Sequence, residues 1–585
     1  MSTETSARRR RVQLTPLPPL PVAFTGLRDA EGPLTLGQLN IVMWLNRTPE
    51  HFYNVLCVEL EVPGGVSVGD VAETVAVLLA RHEGLRTHYT GGTHPRQTVI
   101  AAGELMVDVH SLGDGEWDPR DRPAVAEALT RWLRDQRLAG GAGLPVRVAV
   151  AVGGADGRVV ACAAGFSHVA VDHGALEIIR REFAGLVRDP SARQVGHPRH
   201  QPLDQAELEA TPAERRQAEQ ALRYMEEQAW RIPRCLFALP GAQATGESLA
   251  VELSSVAAAM AVRRVAARTR SSRSSIVLAA ICAVLAHRTG YRELTVPLLS
   301  NNRFERHLAD FVGSLAQGAI ATIEVGTASF DALVKHTWIT VMQASRHARY
   351  DATRRAALDE RIEHERGLRF MYDPLFNSLV PESWSGLTAG VGYGAEQVSA
   401  ALAQTELTWR PVPTNGTPMR FGLTQIDGRV RLDLWSADTG HVPNAEMESL
   451  LLAVERLLVA AADGDLDTER ITGAIGLDPI LRGPEWTLVD YCWVDLAAAQ
   501  RVLDEALAPA VARIFASVHG RPLVAYLTAT GSVRTPEQAH ARCMAALSDH
   551  PTALTPRHYV VCASAPPDPA NPAAWGTIIA DGTGR

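Results

Sequence analysis

The chain has 585 residues, 46% of them hydrophobic and 21% charged, with 57 basic against 65 acidic residues and a formal net charge of −8. That balance fits a soluble globular protein of two or three domains. It argues against a nucleic-acid partner, and with no apolar run near the roughly 18–20 residues of a membrane span and no apolar secretory segment, a cytoplasmic protein is expected, with no membrane partner. Seven cysteines without a CxxC pair argue against a zinc site and a disulfide framework, and the one lysine, Lys335, sits in no P-loop, Schiff-base or adenylation motif.

In chain order, residues 1–20 read as a disordered tail with a solvated basic run, Arg8 to Arg11, before Pro16-Leu17-Pro18-Pro19. A helix is predicted over Leu34 to Leu45 and a strand over Asn54 to Val62. Ser67 is placed to cap a helix ending at Arg81. Val146 to Val152 and Val159 to Gly165 read as strands around a glycine-rich turn. A helix follows Asp172-His173-Gly174, so Ser167 to Gly174 lies on a loop between a buried strand and a helix. Residues 188–205 read as a linker. In the second half, Val256 to His287 and Ala332 to Ala348 look helical, Leu432 to Ala437 is a strand, and Ala445 to Ala462 a helix. Past Gly464 the composition changes, and strands such as Leu523 to Leu527 alternate with helices such as the one Thr535 would cap.

The segment Phe166-Ser167-His168-Val169-Ala170-Val171-Asp172-His173-Gly174 carries the chemistry. The three apolar residues between His168 and Asp172 can anchor the loop in a core. His168 can then face a cavity while Asp172 turns back to fix the loop. An imidazole with an ordinary pKa of about 6.5 can take or give a proton near neutrality. A buried carboxylate needs a partner, ordinarily an arginine.

The chain resembles the condensation domains of nonribosomal peptide synthetases, of the chloramphenicol acetyltransferase-like superfamily, and specifically a free-standing one. The resemblance rests on ordered, separated segments over about residues 22–465: Leu34 to Leu39 with Met43-Trp44-Leu45, Arg81-His82-Glu83-Gly84-Leu85-Arg86-Thr87-His88-Tyr89, Ser167 to His173 at the family's HHxxxDG motif, Tyr224 to Trp230, Asn302-Arg303 with Phe311 to Leu315, and Tyr372 to Asn377. It implies an α/β fold with two chloramphenicol acetyltransferase-like lobes in a V, residues 21–200 and 201–470, and a tunnel between them. A carrier protein's phosphopantetheine arm would bring an acyl thioester in trans, an amine (or an alcohol) would be the acceptor, and no cofactor would be bound permanently. His168 takes the place of the family's central histidine, to which the family assigns either taking a proton from the attacking amine or positioning that amine and the tetrahedral intermediate. Asp172 is implied to be structural, paired with Arg86 or Arg81, or with Arg303 as a later candidate. Holding both substrates in one tunnel is worth up to about 7–11 kcal/mol.

Two departures stand out. Ser167 replaces the motif's first histidine. His173 replaces the glycine after the aspartate, with Gly174 one place later; if that glycine has positive φ, His173 would be strained, and the alternative is that it supplies a second polar group to the tunnel. Residues 476–585 resemble the small α+β C-terminal subdomain of adenylate-forming enzymes, but the segment ends Asp581-Gly582-Thr583-Gly584-Arg585 without the family's lysine, so no adenylation is expected, and docking a carrier or packing on the second lobe remain open. The alternatives to amide formation are an ester-forming or coenzyme A-dependent acyltransferase and a catalytically silent recruitment module. A serine hydrolase is set aside because Gly165-Phe166-Ser167-His168-Val169 lacks the second glycine of a nucleophile elbow, and heterocyclisation because that branch carries DxxxxD instead.

Overall fold

The computed structural model describes residues 12–47, 54–92, 94–113, 117, 119–136, 138, 143–153, 157–194, 200–240, 245–380, 392–412 and 418–585. The basic run Arg8 to Arg11 lies outside the described residues. The chain divides into two units: residues 1–219 with 301–317 and 349–353, and residues 220–300 with 318–348 and 354–585.

The first unit holds β1 (Thr15–Thr25), β2 (Ala30–Pro33), α1 (Leu36–Arg47), β3 (Val55–Leu60), α2 (Val68–Arg81), β4 (Thr87–Tyr89), β5 (Arg96–Val99), β6 (Ala102–Ser111), α3 (Arg122–Asp135), β7 (Val146–Gly153), β8 (Arg158–Ser167), α4 (His173–Arg188) and α5 (Pro202–Glu209). Its main sheet runs β1-β6-β7-β8-β3, and a small one β2-β5-β4. β6 and β7 pair in parallel, with α3 in the crossover between them, as a parallel pair requires. Strand β8 lies between β7 and β3 and is buried along most of its length, which explains its continuous apolar run. The α2 cap is as its sequence indicates: Ser67 Oγ accepts the Asp70 N–H while the Asp70 carboxylate accepts the Ser67 N–H.

Two expectations are corrected here. Residues 15–20 are not tail but the start of β1, paired antiparallel with β6 from Thr15–Ser111 to Thr25–Ala102. The prolines misdirect the reading; they are tolerated because β1 is an edge strand with a register shift between Leu17 and Leu20. Within 188–205, residues 202–205 open α5, where the Gln201 N–H donates to Asp204.

The second unit continues α6 (Pro212–Ala229), which spans the division, and holds β9 (Leu249–Ser255), α7 (Val256–Thr269), α8 (Arg273–Thr289), β10 (Glu293–Ser300), β11 (Gln317–Glu324), α9 (Phe330–Arg346), α10 (Ala352–Arg366), β12 (Leu375–Ser378), α11 (Ala395–Ala400), β13 (Glu406–Pro411), β14 (Met419–Gln425), β15 (Val430–Ser436), α12 (Asn444–Ala461) and α13 (Thr468–Ile475). A seven-stranded sheet, β11-β10-β12-β14-β15-β9-β13, packs against helices including α7, α8 and α12. The single helix expected over Val256 to His287 is two. Arg270 takes a left-handed conformation (φ 56°), and Ser272 restarts the chain by accepting the Ser275 N–H.

Residues 476–585 also belong to the second unit. They form the hairpin β16 (Trp486–Val489) and β17 (Cys492–Asp495), then α14 (Leu496–Leu507), β18 (Ala512–Val518), β19 (Arg521–Thr528), α15 (Pro536–Ala546), β20 (His558–Cys562) and β21 (Ile578–Gly582). Strands β18-β19-β20-β21 make one sheet, and Thr535 caps α15. The core beneath this sheet takes in Leu368.

Candidate active site

Strand β8 ends by pairing Ser167 with Val55. The Ser167 carbonyl accepts N–H bonds from Ala170 (2.9 Å) and Val171 (3.2 Å), which turns the chain tightly over 168–170. The His168 N–H donates to the Asn54 carbonyl at 2.9 Å. Val169, Ala170 and Val171 are buried, so the three apolar residues do anchor the loop.

The half-buried His168 ring has its Nδ1 3.0 Å from the Val171 carbonyl oxygen. A carbonyl only accepts, so Nδ1 carries the proton and Nε2 presents its lone pair. Among the described residues nothing hydrogen-bonds that Nε2. Burial lowers the His168 pKa, against smaller raising effects of its hydrogen bonds and Asp172, so the ring is neutral at pH 7. Trp44 stands edge-on to it, with ring centroids 5.9 Å apart at 74°. Helix α1 brings Trp44 there. Its start is fixed by Thr35 and Gln38, each hydrogen-bonding the other's backbone N–H, and by Glu209, which accepts the Leu36 N–H at 2.7 Å. Burial raises the Glu209 pKa to about 7.

Asp172 is 1% exposed and saturated with donors. Its Oδ1 accepts the Ala175 N–H (2.9 Å), capping α4, and lies 2.7 Å from Arg303 Nη2. Its Oδ2 accepts Arg303 Nη1–H (2.9 Å) and the N–H groups of Leu315 (2.8 Å) and Ala316 (3.0 Å). Burial opposes ionisation, but the charge and hydrogen bonds of Arg303 and the backbone donors outweigh it and hold the carboxyl below its ordinary range. Arg303 also donates to the carbonyls of Gly313 (2.9 Å) and Asn301 (3.2 Å).

Arg303 is thus the partner, and Arg86 and Arg81 are not. Arg86 is buried, donating to the carbonyls of Arg28 and Ile100. Arg81 reaches Glu182 and the Ala192 carbonyl. Both belong to the second motif and hold its own surroundings together. The strain considered for His173 is absent: it is the first residue of α4, without positive φ, and exposed. Gly174 is needed for space rather than for φ, since a Cβ there would lie 2.5 Å from Arg303 Nη1. The Ser167 hydroxyl makes no hydrogen bond among the described residues. The structure therefore gathers Ser167, His168, Asp172, His173, Gly174 and Arg303. The role of Trp44 against His168 and the Leu315 and Ala316 donors went unread. Trp44 had a signal, the aromatic in the first motif; backbone donors leave none.

Among the described residues no group of three or more His, Cys, Asp or Glu is arranged to hold a metal ion. All seven cysteines are free thiols. No single described helix is long and apolar enough to cross a membrane.

The family model of the condensation domain matches residues 32–378, more than half of the chain. No curated protein matches the sequence. Among solved structures, the SgcC5 protein from Streptomyces globisporus superposes with a TM-score of 0.55 at 19% identity, over 74% of this chain and 100% of its own. The condensation domain of the monacolin K polyketide synthase MokA gives 0.56 at 17% identity, over 74% and 97%. The starter condensation domain of rhizomide synthetase RzmA, solved with C8-CoA, gives 0.55 at 15% identity, over 78% and 98%. At these identities the structural matches establish the fold, α/β with the two chloramphenicol acetyltransferase-like lobes of condensation domains, and the family match establishes kinship: the chain belongs to the condensation-domain family, acyltransferases whose reaction is amide-forming condensation in natural-product biosynthesis.

Proposed function

We propose that this chain is an active condensation enzyme that joins an acyl group, held as a thioester on the phosphopantetheine arm of a carrier protein acting in trans, to an amine. The carrying observation is the 3.0 Å contact of His168 Nδ1 with the Val171 carbonyl oxygen: a carbonyl only accepts, so Nδ1 holds the proton and Nε2 is the basic atom. The amine nitrogen attacks the thioester carbonyl carbon and the C–N bond forms. His168 Nε2 takes the proton the nitrogen must lose. The C–S bond then breaks, and the proton leaves with the thiol. Asp172 and Arg303 do not touch the proton; they fix the turn that aims the imidazole. An imidazole so placed is worth about 10²–10⁴ in rate. The free thiols fit a reducing, cytoplasmic setting, and the product would be a secondary metabolite such as an antibiotic.

The test is intact-mass detection of amide product from an acyl-loaded carrier protein and amine acceptors. Wild type should form product and His168→Ala should be slower by at least about a hundredfold. Product with an alcohol acceptor, or from a coenzyme A thioester alone, would reassign the acceptor or donor. A wild type silent with every pair, in a cell that still makes its product with His168→Ala, would replace the proposal with a recruitment role.

A further inference from the structure

Residues 476–585 lie beyond the part of the chain matched by the family model. Where they pack is specific. Helix α10 ends at Arg366, and Gly367 follows in the left-handed region (φ 64°). The Leu368 N–H donates to the Glu363 carbonyl (3.1 Å) and the Gly367 N–H to the His364 carbonyl (3.3 Å), the two bonds of a Schellman ending. Such an ending still leaves carbonyls of the last turn short of partners, and buried carbonyls need them.

The C-terminal segment supplies a donor to each of four successive carbonyls. His540 Nε2 meets His364 O at 3.0 Å, Arg585 Nη1 meets Glu365 O at 2.8 Å, and Arg557 Nη1 meets Arg366 O at 3.1 Å. The Thr555 N–H meets Gly367 O at 3.0 Å. The fit leaves no room at the turn: a Cβ on Gly367 would stand 2.1 Å from Thr555 Oγ1. Two of the donors are guanidinium groups, the charge that the negative end of a helix favours. Leu368, the first residue after the glycine, is fully buried in the core of the C-terminal segment. Next along the chain, the Arg369 carbonyl accepts from Arg234 (3.1 Å), whose Nη2 also donates to Leu547 O at 2.6 Å. The Arg366 side chain, fully buried, binds Asp490 through Nε (2.9 Å) and, through Nη2, the Asp490 carbonyl (2.8 Å).

We propose that residues 476–585 serve as a fixed cap on the C-terminal end of α10, holding the chain from His364 to Arg369 in place as it leads into β12, and that they do not swing as a separate lid. The inference stands independently of the acyl-transfer reading. Its test is hydrogen–deuterium exchange on the intact chain, comparing wild type with Arg557→Ala, Arg585→Ala and Arg557→Lys. Each alanine variant should speed exchange of the Arg366 to Leu368 amides about tenfold while the β19 amides keep their wild-type rates, and Arg557→Lys, which keeps a donor, should restore most of the protection. Unchanged rates at 366–368 in both alanine variants would overturn the proposal. So would acceleration there that appears only together with equal acceleration in β19, because that would reflect general loosening of the segment.

Discussion

Gly174 and Arg303 occupy one another's space: the glycine's missing Cβ would sit 2.5 Å from the guanidinium nitrogen that donates to Asp172. The family pattern puts its glycine directly after the aspartate, and here the small residue stands one place further on. The structure gives the displaced glycine a reason to exist, because the arginine arrives over that Cα. Gly174→Ala should push the guanidinium off the carboxylate. The expected cost is about 1–3 kcal/mol in unfolding free energy, together with a loss of amide-forming rate, measured by denaturant melts and steady-state kinetics. Gly185→Ala, in the open part of the same helix, should be neutral or stabilising.

Removing one partner of the buried pair should cost more than removing both. Arg303→Ala leaves the Asp172 carboxylate without its cation, with an expected loss of about 3–5 kcal/mol. The double variant Arg303→Met with Asp172→Asn should recover part of that loss in a thermal melt. The pH dependence has a definite sign. Asp172 is held below its ordinary pKa in the folded state, so its stabilisation is complete above about pH 4 and is lost as the pH falls through the lower folded value.

The acid limb of the rate profile should lie below the ordinary imidazole value of about 6.5. Burial lowers the His168 pKa, so the ring stays a free base at pH values where an exposed histidine would be protonated. The rate constant for the amide-forming step, followed against pH under saturating carrier and amine, should hold down to that limb. A midpoint at or above about 6.5 would contradict the reading of the ring as a desolvated base.

Trp44→Ala should admit water to the imidazole edge it covers and move the same limb upward, toward about 6.5, with a slower rate at neutral pH. Trp44→Phe keeps an aromatic edge and should retain most of both properties. An alanine variant with an unshifted profile would reduce Trp44 to packing.

His540 should give the C-terminal segment an acid sensitivity of its own. Burial, with the charge of Arg585 next, pushes its pKa down to about 4. Between about pH 6.5 and 4 the unfolded chain binds a proton that the folded one refuses, so stability falls as the pH falls across that window. The full effect is on the order of 3 kcal/mol. His540→Gln should flatten this part of the curve, as read from urea midpoints at pH 7 and pH 4.5.

Much of the site was legible because its chemistry is local. The turn from β8 into α4 needs three small apolar residues between His168 and Asp172, and that spacing lies in nine consecutive letters. Arg303 was visible only as one of three arginines. The choice among them depends on which distant loop folds back, and pairing over 131 positions leaves no trace in periodicity. The Ser67 and Thr535 caps were readable because a cap is a contact between residues three apart. Edge strand β1 was not, because proline composition says tail until the neighbouring strand is known. The break at Arg270 was hidden inside a helical hydrophobic pattern that continues on both sides of it. The fit of the C-terminal segment on α10 could not be read at all, because its acceptors are main-chain carbonyls that every residue carries.

The prolines of β1 have one more consequence. Pro16, Pro18, Pro19 and Pro21 have no N–H and lie on the outermost strand of the first unit's main sheet; since N–H groups alternate sides along a strand, part of these missing donors are ones an incoming strand would use. A foreign chain laid along that border would find gaps in its ladder, so these residues guard the molecule against sticking to copies of itself through that side. Restoring the missing donors, by changing the four prolines to threonine, would turn a protected margin into an aggregation-prone one without touching the chemistry at His168.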